Sequence, residues 1–498
     1  MAASELPVPK GLNAAMEDVA AIKKGNWGFV QFFFVLSVVL CVLLYAPRFF
    51  VLAPYGIDID FFAPNSSQGA STRPVQRLHV KGDAGDDGLI ILDNQVGSPC
   101  SSMRNNTICC DRSDFNTDVC FMAGDVRTDA SSLSLLLFPP HHSALSVTAE
   151  ERVRPYTRKW ERFIMGKVQE VRLRVPRPEE AAEHRCDVRH DAPVLVMTAG
   201  GYTGNFFHAF SDGFLPSWLT VQHLRRRVVL AVLSYNPWWA GTFSEIISGL
   251  SDYYVVDLLN DKRTHCFPSA IVGTRFHGIL NVDPARLRDN KTIVDFHQLL
   301  ADVYEAADNR KPEIQKPGRR PRLGIVSRKG TRVIENQAAV AQLASSIGFD
   351  VDILETANGM PLSAVYASVR ACDALVGVHG ADLTKFLFLR PGRAVLTQIA
   401  PLGVSPIARD CFGGPSARMG LHYEQYDVRG PESSLSRKYA LDDVVIADPE
   451  TTKRNKGWDF VARVYLRGQN VSLDLGRFGK TLARLHSRAL LLQRQERP

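Results

Sequence analysis

The chain alternates short apolar segments with stretches of helical periodicity, and this alternation occurs in two successive series. The first series opens with the apolar run Val194–Thr198 and extends to residue 273. The second opens at residues 323–327 and extends to residue 399. Strands separated by helices build parallel sheets with helices on their faces. The pattern therefore predicts an α/β protein with two parallel-sheet layers, divided near residues 311–320.

The end of the chain carries an apolar stripe at helical spacing. Its members recur at alternating steps of four and three residues: Phe478, Leu482, Leu485, Ala489 and Leu492. One face of this segment is apolar, so we predict a helix that packs as a closing element.

Residues 27–46 are apolar apart from two positions and are long enough to cross a bilayer. No small-residue cleavage site follows, which favours a retained anchor over a removed signal peptide. Lys23 and Lys24 precede the run and only Arg48 follows closely, so the positive-inside rule predicts a lumenal remainder. The predicted organisation is a cytosolic tail (1–26), a transmembrane signal anchor (27–46), a flexible stem (47–97) and two lumenal domains (98–315 and 316–498).

Two features agree with a lumenal location. Four glycosylation sequons begin at Asn65, Asn105, Asn290 and Asn470, and such sites are used only on that side. Eight of the nine cysteines follow the anchor, and an even number permits up to four disulfides. The four between Cys100 and Cys120 lack Cys-x-x-Cys spacing, which favours disulfides there over zinc.

The net charge of +7 is a modest basic bias. It favours an anionic ligand without requiring nucleic acid. Because the sequence contains no zinc-finger spacing and no basic tract interleaved with aromatic residues, we predict no nucleic-acid partner.

Residues 200–213 form a glycine-rich stretch directly after the predicted strand Val194–Thr198. The turn residues are Gly200, Gly201, Gly204 and Asn205. In the predicted helix that follows, His208 and Asp212 are four residues apart, which places an imidazole and a carboxylate on one face. The stretch is therefore either a catalytic corner or a turn that serves packing alone.

A companion motif follows the predicted strand Ala374–Val378. It contains His379, Gly380 and Ala381. Ligands of open parallel sheets bind outside the carboxyl ends of strands, where a helix N-terminus can receive a phosphate. The alternative is a tight turn in which Asp382 is a helix-start acid. Arg328 follows another strand in the same way, and its guanidinium either holds a diphosphate or lies on the surface as an ordinary arginine.

Taken in order, these motifs resemble plant members of glycosyltransferase family 61, over roughly residues 110–485. The resemblance rests on Cys110-Asp111, Gly124-Asp125-Val126-Arg127, the stretch from Gly200 to Asp212, His265-Cys266-Phe267, Arg275-Phe276-His277-Gly278, Ser327-Arg328, the stretch from Val378 to Thr384, the stretch from Phe388 to Gly392, Met419-Gly420, Glu432-Ser433-Ser434-Leu435 and Arg477-Phe478. It implies a GT-B fold, in which two Rossmann-like domains face a cleft. It also implies a single-pass type II protein of the Golgi membrane and inverting transfer from a UDP-sugar.

Similar grass proteins add arabinofuranose or xylose to xylan, so the resemblance implies a UDP-pentose donor and a xylan or other glycan acceptor. A branch of the family adds xylose to protein N-glycans, which is the alternative activity. Complexes with other Golgi transferases fit the same location. By resemblance, the donor side comprises Arg328, His379, Gly380, Ala381 and Glu432, and the acceptor side comprises Gly200, Gly201, Gly204 and Asn205.

Some features leave the chemistry open. Glu432 lies in a loop where it accepts from a ribose or caps a helix start. Lys385 stands where many relatives have Asn, and it either touches phosphate or faces solvent. The loop that begins at Cys411 also departs from the sequence expected for the family. The Asp-x-Asp sequences, Asp58-Ile59-Asp60 and Asp350-Val351-Asp352, do not sit at a strand's carboxyl end, so we predict catalysis without an obligatory metal or other cofactor.

Inverting transfer needs a base that takes a proton from the acceptor hydroxyl. Either His208 or Asp212 is that base and the other residue orients it. Imidazole has the better ordinary pKa for work near neutral pH. Rival hypotheses are a Golgi protein that binds glycans or scaffolds transferases without catalysis, and a secreted hydrolase with paired carboxylates.

Overall fold

The computed structural model describes residues 77–79, 92–139, 150–307, 318–355 and 359–495. The predicted tail, the predicted anchor, Asn65 and most of the predicted stem lie outside them. Among the helices of the described residues, none is both long and apolar enough to cross a membrane. The described residues belong to one compact unit. The boundary between residues 315 and 316 stays a prediction.

Within the described ranges, the first sheet has eleven strands. They are β1 (Arg77–His79), β2 (Thr107–Asp111), β3 (Val119–Asp129), β4 (Ser134–Phe138), β5 (Glu151–Val153), β6 (Val171–Arg174), β7 (Val188–Arg189), β8 (Val194–Thr198), β9 (Val229–Leu233), β10 (Val256–Asp257) and β11 (His265–Val272). Its main path runs β10-β9-β8-β11-β3-β4-β6-β5; in addition β2 pairs with β3, β1 pairs with β2, and β7 pairs with β11.

The prediction of a parallel first sheet is correct only for part of it. Strands β8 to β11 pair in parallel, whereas β3 is antiparallel to β2, β4 and β11. A short turn at residues 130–133 joins β3 to β4, and such a turn returns the chain antiparallel to the strand it left. The sheet is therefore mixed, with its parallel half leading to the glycine-rich stretch.

The second sheet is parallel throughout, as predicted. Its strands are β12 (Arg322–Val326), β13 (Asp350–Leu354), β14 (Ala374–Val378), β15 (Val395–Ala400) and β16 (His422–Asp427), in the order β13-β12-β14-β15-β16. The apolar pattern did not predict β16. This edge strand has the sequence His-Tyr-Glu-Gln-Tyr-Asp and buries one residue fully.

Helices connect and cover the strands. The α-helices are Arg162–Met165, Phe206–His208, Leu215–Val221, Pro237–Thr242, Ser244–Leu250, Ile293–Ala307, Gln337–Ile347, Leu362–Arg370, Ser405–Ala408, Gly414–Arg418, Val444–Ala447, Pro449–Phe460 and Leu475–Gln495. The 3-10 helices are Pro178–Ala182, Gln222–Leu224, Pro284–Arg286, Ala381–Phe388, Gly430–Glu432 and Ser434–Arg437, and the π-helical segments are Ala209–Phe214, Arg409–Gly413 and Val461–Leu466.

The predicted closing helix is confirmed as Leu475–Gln495. Four of its predicted apolar positions are buried, namely Phe478, Leu482, Leu485 and Ala489. They join the core on one side of the second sheet. The apolar stripe thus decided both the presence of this helix and its orientation.

A continuous apolar core joins the two sheets. One cluster of buried side chains includes Leu195 and Val232 of the first sheet and Leu375 and Leu396 of the second. The helix Ile293–Ala307 lies at this junction, because it packs on both Ser244–Leu250 and Leu362–Arg370. Burial of this shared cluster holds the two sheets and the helices between them together.

Disulfides form in the cysteine-rich segment, as predicted. Cys100 pairs with Cys109 and Cys110 with Cys120, and a third bridge joins Cys186 to Cys266. Among the described residues, Cys372 and Cys411 are free thiols.

The last residues of the predicted stem pack against the first sheet. Asp93 is buried and pairs with the guanidinium of Arg275, which also donates to Asp111 at 2.7 Å. Two carboxylates therefore share one buried cation, an arrangement that offsets the cost of removing these charges from water. Cys110-Asp111 and the Arg275 motif are thus connected in space.

The buried histidine His297 predicts acid sensitivity. Burial, with the nearby charge of Arg370 as a smaller cause, lowers the pKa of His297 from 6.5 to about 4. At a pH between these two pKa values, His297 is protonated in the unfolded chain and neutral in the folded chain. The free energy of unfolding therefore falls as pH drops from 6.5 towards 4. We expect His297→Leu to reduce that fall by about 2 kcal/mol at pH 4.5. Urea unfolding at pH 7 and pH 4.5 measures it, and an equal fall in both proteins would contradict the prediction.

Candidate active site

Seven residues, 199–205, connect the carboxyl end of β8 to the helix that begins at Phe206. Asn205 begins the helix Phe206–His208, and its side chain accepts a hydrogen bond from the backbone N–H of Phe207 at 3.0 Å. The chain continues through the π-helical segment Ala209–Phe214, which contains Asp212. Such segments interrupt the regular helix and recur at functional sites.

The side chain of Asp212 is fully buried and bound on several sides. Arg158 donates from Nε to Oδ2 at 2.8 Å and from Nη2 to Oδ1 at 3.2 Å. The Tyr156 hydroxyl donates to Oδ2 at 2.9 Å. Burial raises the pKa of Asp212, but the charge of Arg158 and the hydrogen bonds with His208 and Arg158 together outweigh it and hold the pKa well below its usual range. Asp212 is therefore ionised at neutral pH, which makes it a poor general base.

The predicted contact between His208 and Asp212 is present. Nδ1 of the imidazole lies 2.8 Å from Oδ2 of Asp212 and 3.2 Å from Nη2 of Arg158. A carboxylate oxygen at 2.8 Å requires a proton between it and Nδ1, and the guanidinium has Oδ1 to donate to instead. We therefore assign the proton of neutral His208 to Nδ1, which leaves the lone pair on Nε2.

His208 Nε2 is available to a ligand. The side chain is 24% exposed, and among the described residues no hydrogen-bond partner of Nε2 is found. The Tyr202 ring lies beside the imidazole with 5.0 Å between ring centroids, and its hydroxyl donates to Glu161. The imidazole is thus held at one nitrogen and on one face while the other nitrogen is open.

The glycines of the turn permit close packing around this corner. Gly201 has φ +64°, and a Cβ atom there would lie 2.6 Å from the Tyr156 ring. A Cβ atom on Gly200 would lie 2.9 Å from the Ser234 hydroxyl, whereas one on Gly204 would meet nothing within 4 Å. Packing and the candidate catalytic site are therefore connected at Gly201, because Tyr156, which packs against this glycine, also donates to Asp212.

The companion motif lies at the carboxyl end of β14. Gly380 has φ +150°, and a Cβ atom there would lie 2.8 Å from Nη1 of Arg332 and 3.0 Å from Nη1 of Arg328. Arg332 also donates to the backbone carbonyl of His379 at 3.2 Å. Glycine is favoured here because a backbone φ of +150° is strained for any residue that carries a side chain.

Positive charge exceeds negative charge around this turn. Asp382 pairs with Arg328 at 2.5 Å and lies 3.5 Å from Nζ of Lys385. The Lys385 side chain is only 5% exposed, so the alternative that it faces solvent is wrong. Burial, and then the nearby charge of Arg328, lower the pKa of Arg332 to about 10, at which it remains charged near neutral pH. Three cations thus surround one carboxylate, an arrangement suited to an anionic ligand.

His379 is buried and neutral. Burial, followed by the charges of Arg332 and Arg328, lowers its pKa to about 3. The Gln398 amide donates to Nδ1 at 2.9 Å, and its orientation is set by the Tyr423 hydroxyl, which donates to the Gln398 carbonyl oxygen at 2.6 Å. Because Nδ1 accepts, the proton of His379 lies on Nε2. His379 is therefore a hydrogen-bond donor, whereas His208 is an acceptor.

The two motifs are brought together in space. The helix Phe206–His208 packs on the 3-10 helix Ala381–Phe388. The Phe412 ring lies between them, with its centroid 5.6 Å from that of Phe207 and 5.5 Å from that of His379. Phe412 follows Cys411, whose thiol pKa is raised to about 12 by burial. The divergent loop thus supplies an apolar contact between the motifs, and its thiol is protonated.

A cavity of about 310 Å³ adjoins the cationic turn. The backbone N–H of Arg332 donates to the carbonyl of Gln469, one of the lining residues, at 2.9 Å. The polar and charged side chains of the lining include Thr331, Ser434, Arg437, Lys438, Arg467 and Asn470. This volume lies within the range of small-molecule sites. Arg437 pairs with Glu335, and Lys438 and Arg467 add further positive charge to the lining, which favours an anion.

Glu432 is occupied by hydrogen bonds within the protein. It accepts from the Tyr426 hydroxyl and the Arg477 guanidinium, and from the backbone N–H groups of Arg429 and Asp474 at 2.9 Å each. In the structure Glu432 therefore caps the start of the 3-10 helix Gly430–Glu432, which was one of the two alternatives. A contact from Glu432 to a ligand stays a prediction.

The other acidic and glycosylation motifs are placed as follows. Asp350 and Asp352 lie on the edge strand β13, at 3.8 and 3.5 Å from Nε of Arg322. Asn105 and Asn290 are exposed. Asn470 is half-buried and its amide is engaged, because it donates to Glu335 at 3.3 Å and accepts from the backbone N–H of Val333 at 3.1 Å.

Four residues of the site were not predicted from the sequence. They are Tyr156, Arg158, Arg332 and Gln398. Arg158 lies 54 positions before Asp212 in a segment without periodic pattern, so no local spacing connects them. Arg332 had a weak signal, because it lies four residues after Arg328 in a basic run at a strand end.

Comparison with known proteins identifies a family and several relatives. The family model Glycosyltransferase 61 matches residues 206–396, which include His208, Asp212, Arg328 and His379. A xylan glycosyltransferase of Arabidopsis thaliana is 36% identical over 413 residues, covering 80% of this chain and 83% of the relative. A beta-1,2-xylosyltransferase of Oryza sativa subsp. japonica is 34% identical, with 75% and 82% covered. An alpha-1,3-arabinosyltransferase of the same rice is 33% identical, with 82% and 68% covered.

The glycine turn offers a test of the corner's packing. In Gly201→Ala the new methyl group collides with Tyr156 at a positive φ, so we expect a loss of about 1–3 kcal/mol in stability and displacement of Tyr156 from Asp212. Gly204→Ala is the matched control, with an expected change within about 0.5 kcal/mol. Urea unfolding and turnover should both separate the variants. Equal behaviour of the two would mean that the contact at Gly201 has no role.

Proposed function

This chain belongs to glycosyltransferase family 61, and from that premise we propose that it transfers a pentose, xylose or arabinofuranose, from a UDP-sugar to xylan. The names of the relatives support the reaction class, since they are a xylan glycosyltransferase, a beta-1,2-xylosyltransferase and an alpha-1,3-arabinosyltransferase. The observation that carries the proposal is the pairing of an open His208 Nε2 with a cationic turn on the facing sheet.

We propose a GT-B arrangement for the two halves. The first half presents His208 after the carboxyl end of β8, and the second presents His379 and Arg328 after the carboxyl ends of β14 and β12. Ligands of open parallel sheets bind at these ends. The acceptor then lies against the first half and the nucleotide against the second.

His208 acts as the general base in this proposal. The acceptor O–H bond breaks and its proton moves to Nε2, while the oxygen bonds to the anomeric carbon. The bond from that carbon to the UDP oxygen breaks on the opposite face, and UDP leaves with the electron pair. Asp212 remains ionised throughout and stabilises the imidazolium that forms. This assignment chooses between the alternatives that the sequence left open.

The cationic turn accounts for the leaving UDP. Arg328, Arg332 and Lys385 offset the diphosphate charge, and Nε2–H of His379 donates one hydrogen bond. The adjoining cavity has room for the rest of the nucleotide. Because side-chain cations supply this stabilisation, we propose that no divalent metal is obligatory.

The cellular setting is also proposed. Residues 27–46 are apolar and the cationic flank precedes them, which supports a single-pass type II protein with its catalytic part in the Golgi lumen. Golgi complexes with other transferases fit this location. The sequons at Asn105 and Asn290 are exposed, which supports their use in the lumen.

Substitution of His208 tests the base. We expect His208→Gln to lower kcat by about a hundredfold to ten-thousandfold, because Gln cannot accept the proton, while UDP still binds. His422→Ala, at an exposed histidine of β16, is the control and should retain wild-type kcat. Product formation from UDP-xylose or UDP-arabinofuranose and xylan measures the effect. Wild-type turnover by His208→Gln would refute the role of His208.

Substitution of Arg328 tests the donor side. Loss of a charge-assisted contact to phosphate should raise the KM for the UDP-sugar by about ten- to a hundredfold. Lys329→Ala is the neighbouring control, because that side chain is 85% exposed and lies 3.9 Å from Glu355. Wild-type activity should also survive EDTA. An unchanged KM in Arg328→Ala, or complete loss of activity with EDTA, would contradict this account of the donor side.

A further inference from the structure

Two aromatic side chains form a surface close to the acceptor side. Phe115 is 72% exposed, and its ring lies nearly parallel to that of Trp160, with 6.4 Å between centroids and an angle of 12°. The Trp160 indole N–H donates to the Asn116 side chain at 3.3 Å, which fixes the ring. Rings that lie side by side form contiguous apolar surface, and contiguous apolar surface is typical of ligand-binding and partner-binding sites. We call these two rings the aromatic platform.

The aromatic platform lies at the same edge of the sheet as His208. The Thr117 hydroxyl donates to the carbonyl of Thr274 at 2.9 Å, just after the carboxyl end of β11. Strand β11 pairs in parallel with β8, whose carboxyl end leads into the glycine turn. Phe115 is therefore held beside the strand ends where the reaction is proposed.

The aromatic platform is also continuous with the catalytic corner along the chain. Trp160 lies between Arg158, which binds Asp212, and Glu161, which binds the hydroxyl of Tyr202. Two residues span at most about 7 Å between Cα atoms. Tyr202 in turn lies against His208. The aromatic platform is thus connected to His208 through Arg158, Glu161 and Tyr202, the residues that hold the catalytic corner in place.

We propose that the aromatic platform is an acceptor subsite that binds xylan residues beyond the one that receives the pentose. This subsite rests on the proposed function. It explains how the protein binds a polymer, as opposed to a short oligosaccharide. Pyranose rings present an apolar C–H face that stacks on flat aromatic surface, and Phe and Trp provide such surface at low entropic cost. A neutral polymer chain needs no countercharge. The platform would fix the register in which one backbone sugar meets His208.

The test compares acceptors of different length. In the full-length chain, Phe115→Ala and Trp160→Ala should raise the KM for long xylan about five- to tenfold with unchanged kcat and unchanged KM for the UDP-sugar. The KM for a short xylo-oligosaccharide should stay as in the wild type. Tyr254→Ala is the control, because this 53% exposed ring precedes β10 and lies at the opposite edge of the sheet. Equal losses on short and long acceptors, or no loss, would overturn the proposal.

A binding measurement separates this proposal from the proposed function. Migration of the full-length protein through native gels containing xylan should be retarded for the wild type and Tyr254→Ala, and less so for Phe115→Ala. This result is expected even if no pentose transfer is detected, in which case the proposed reaction fails and the subsite stands. Unretarded wild type, or a Phe115→Ala protein whose only change is a smaller oligomeric mass by light scattering, would overturn the subsite.

Discussion

The buried ion pair of Asp212 with Arg158 holds the candidate site together. A carboxylate removed from water is costly unless charge and hydrogen bonds replace its solvation. Arg158 supplies the charge, Tyr156 and His208 supply further hydrogen bonds, and Gly201 leaves room for the Tyr156 ring. The segment that carries Arg158, the glycine turn and the helix that follows are therefore positioned by one shared set of contacts.

Their different environments give His208 and His379 opposite hydrogen-bonding roles at Nε2. Beside an ionised carboxylate, His208 has its proton on Nδ1 and a free acceptor at Nε2. Beside two arginines and the Gln398 amide, His379 is neutral and has its donor at Nε2. One side of the site is thus suited to take a proton, and the other to donate to an anion.

The sequence predicted what depends on local spacing. The four-residue separation of His208 and Asp212 predicted their contact, and the strand before His379 placed that residue at a sheet edge. It did not predict Arg158, because that partner comes from a distant segment and tertiary packing alone brings it near. Antiparallel pairing of β3 was missed for the same reason, and the environment of Lys385 was left open. Each depends on tertiary contacts with segments that are distant in the sequence.

The central claim is that Asp212 holds the proton of His208 on Nδ1 and leaves Nε2 as the base. Nitrogen-15 NMR of the histidine-labelled protein, with His208 assigned by comparison with His208→Gln, measures which ring nitrogen carries the proton near neutral pH. For the neutral form of the ring, the account predicts a pyrrole-type signal from Nδ1 and a pyridine-type signal from Nε2. A proton on Nε2 of the neutral ring would contradict it.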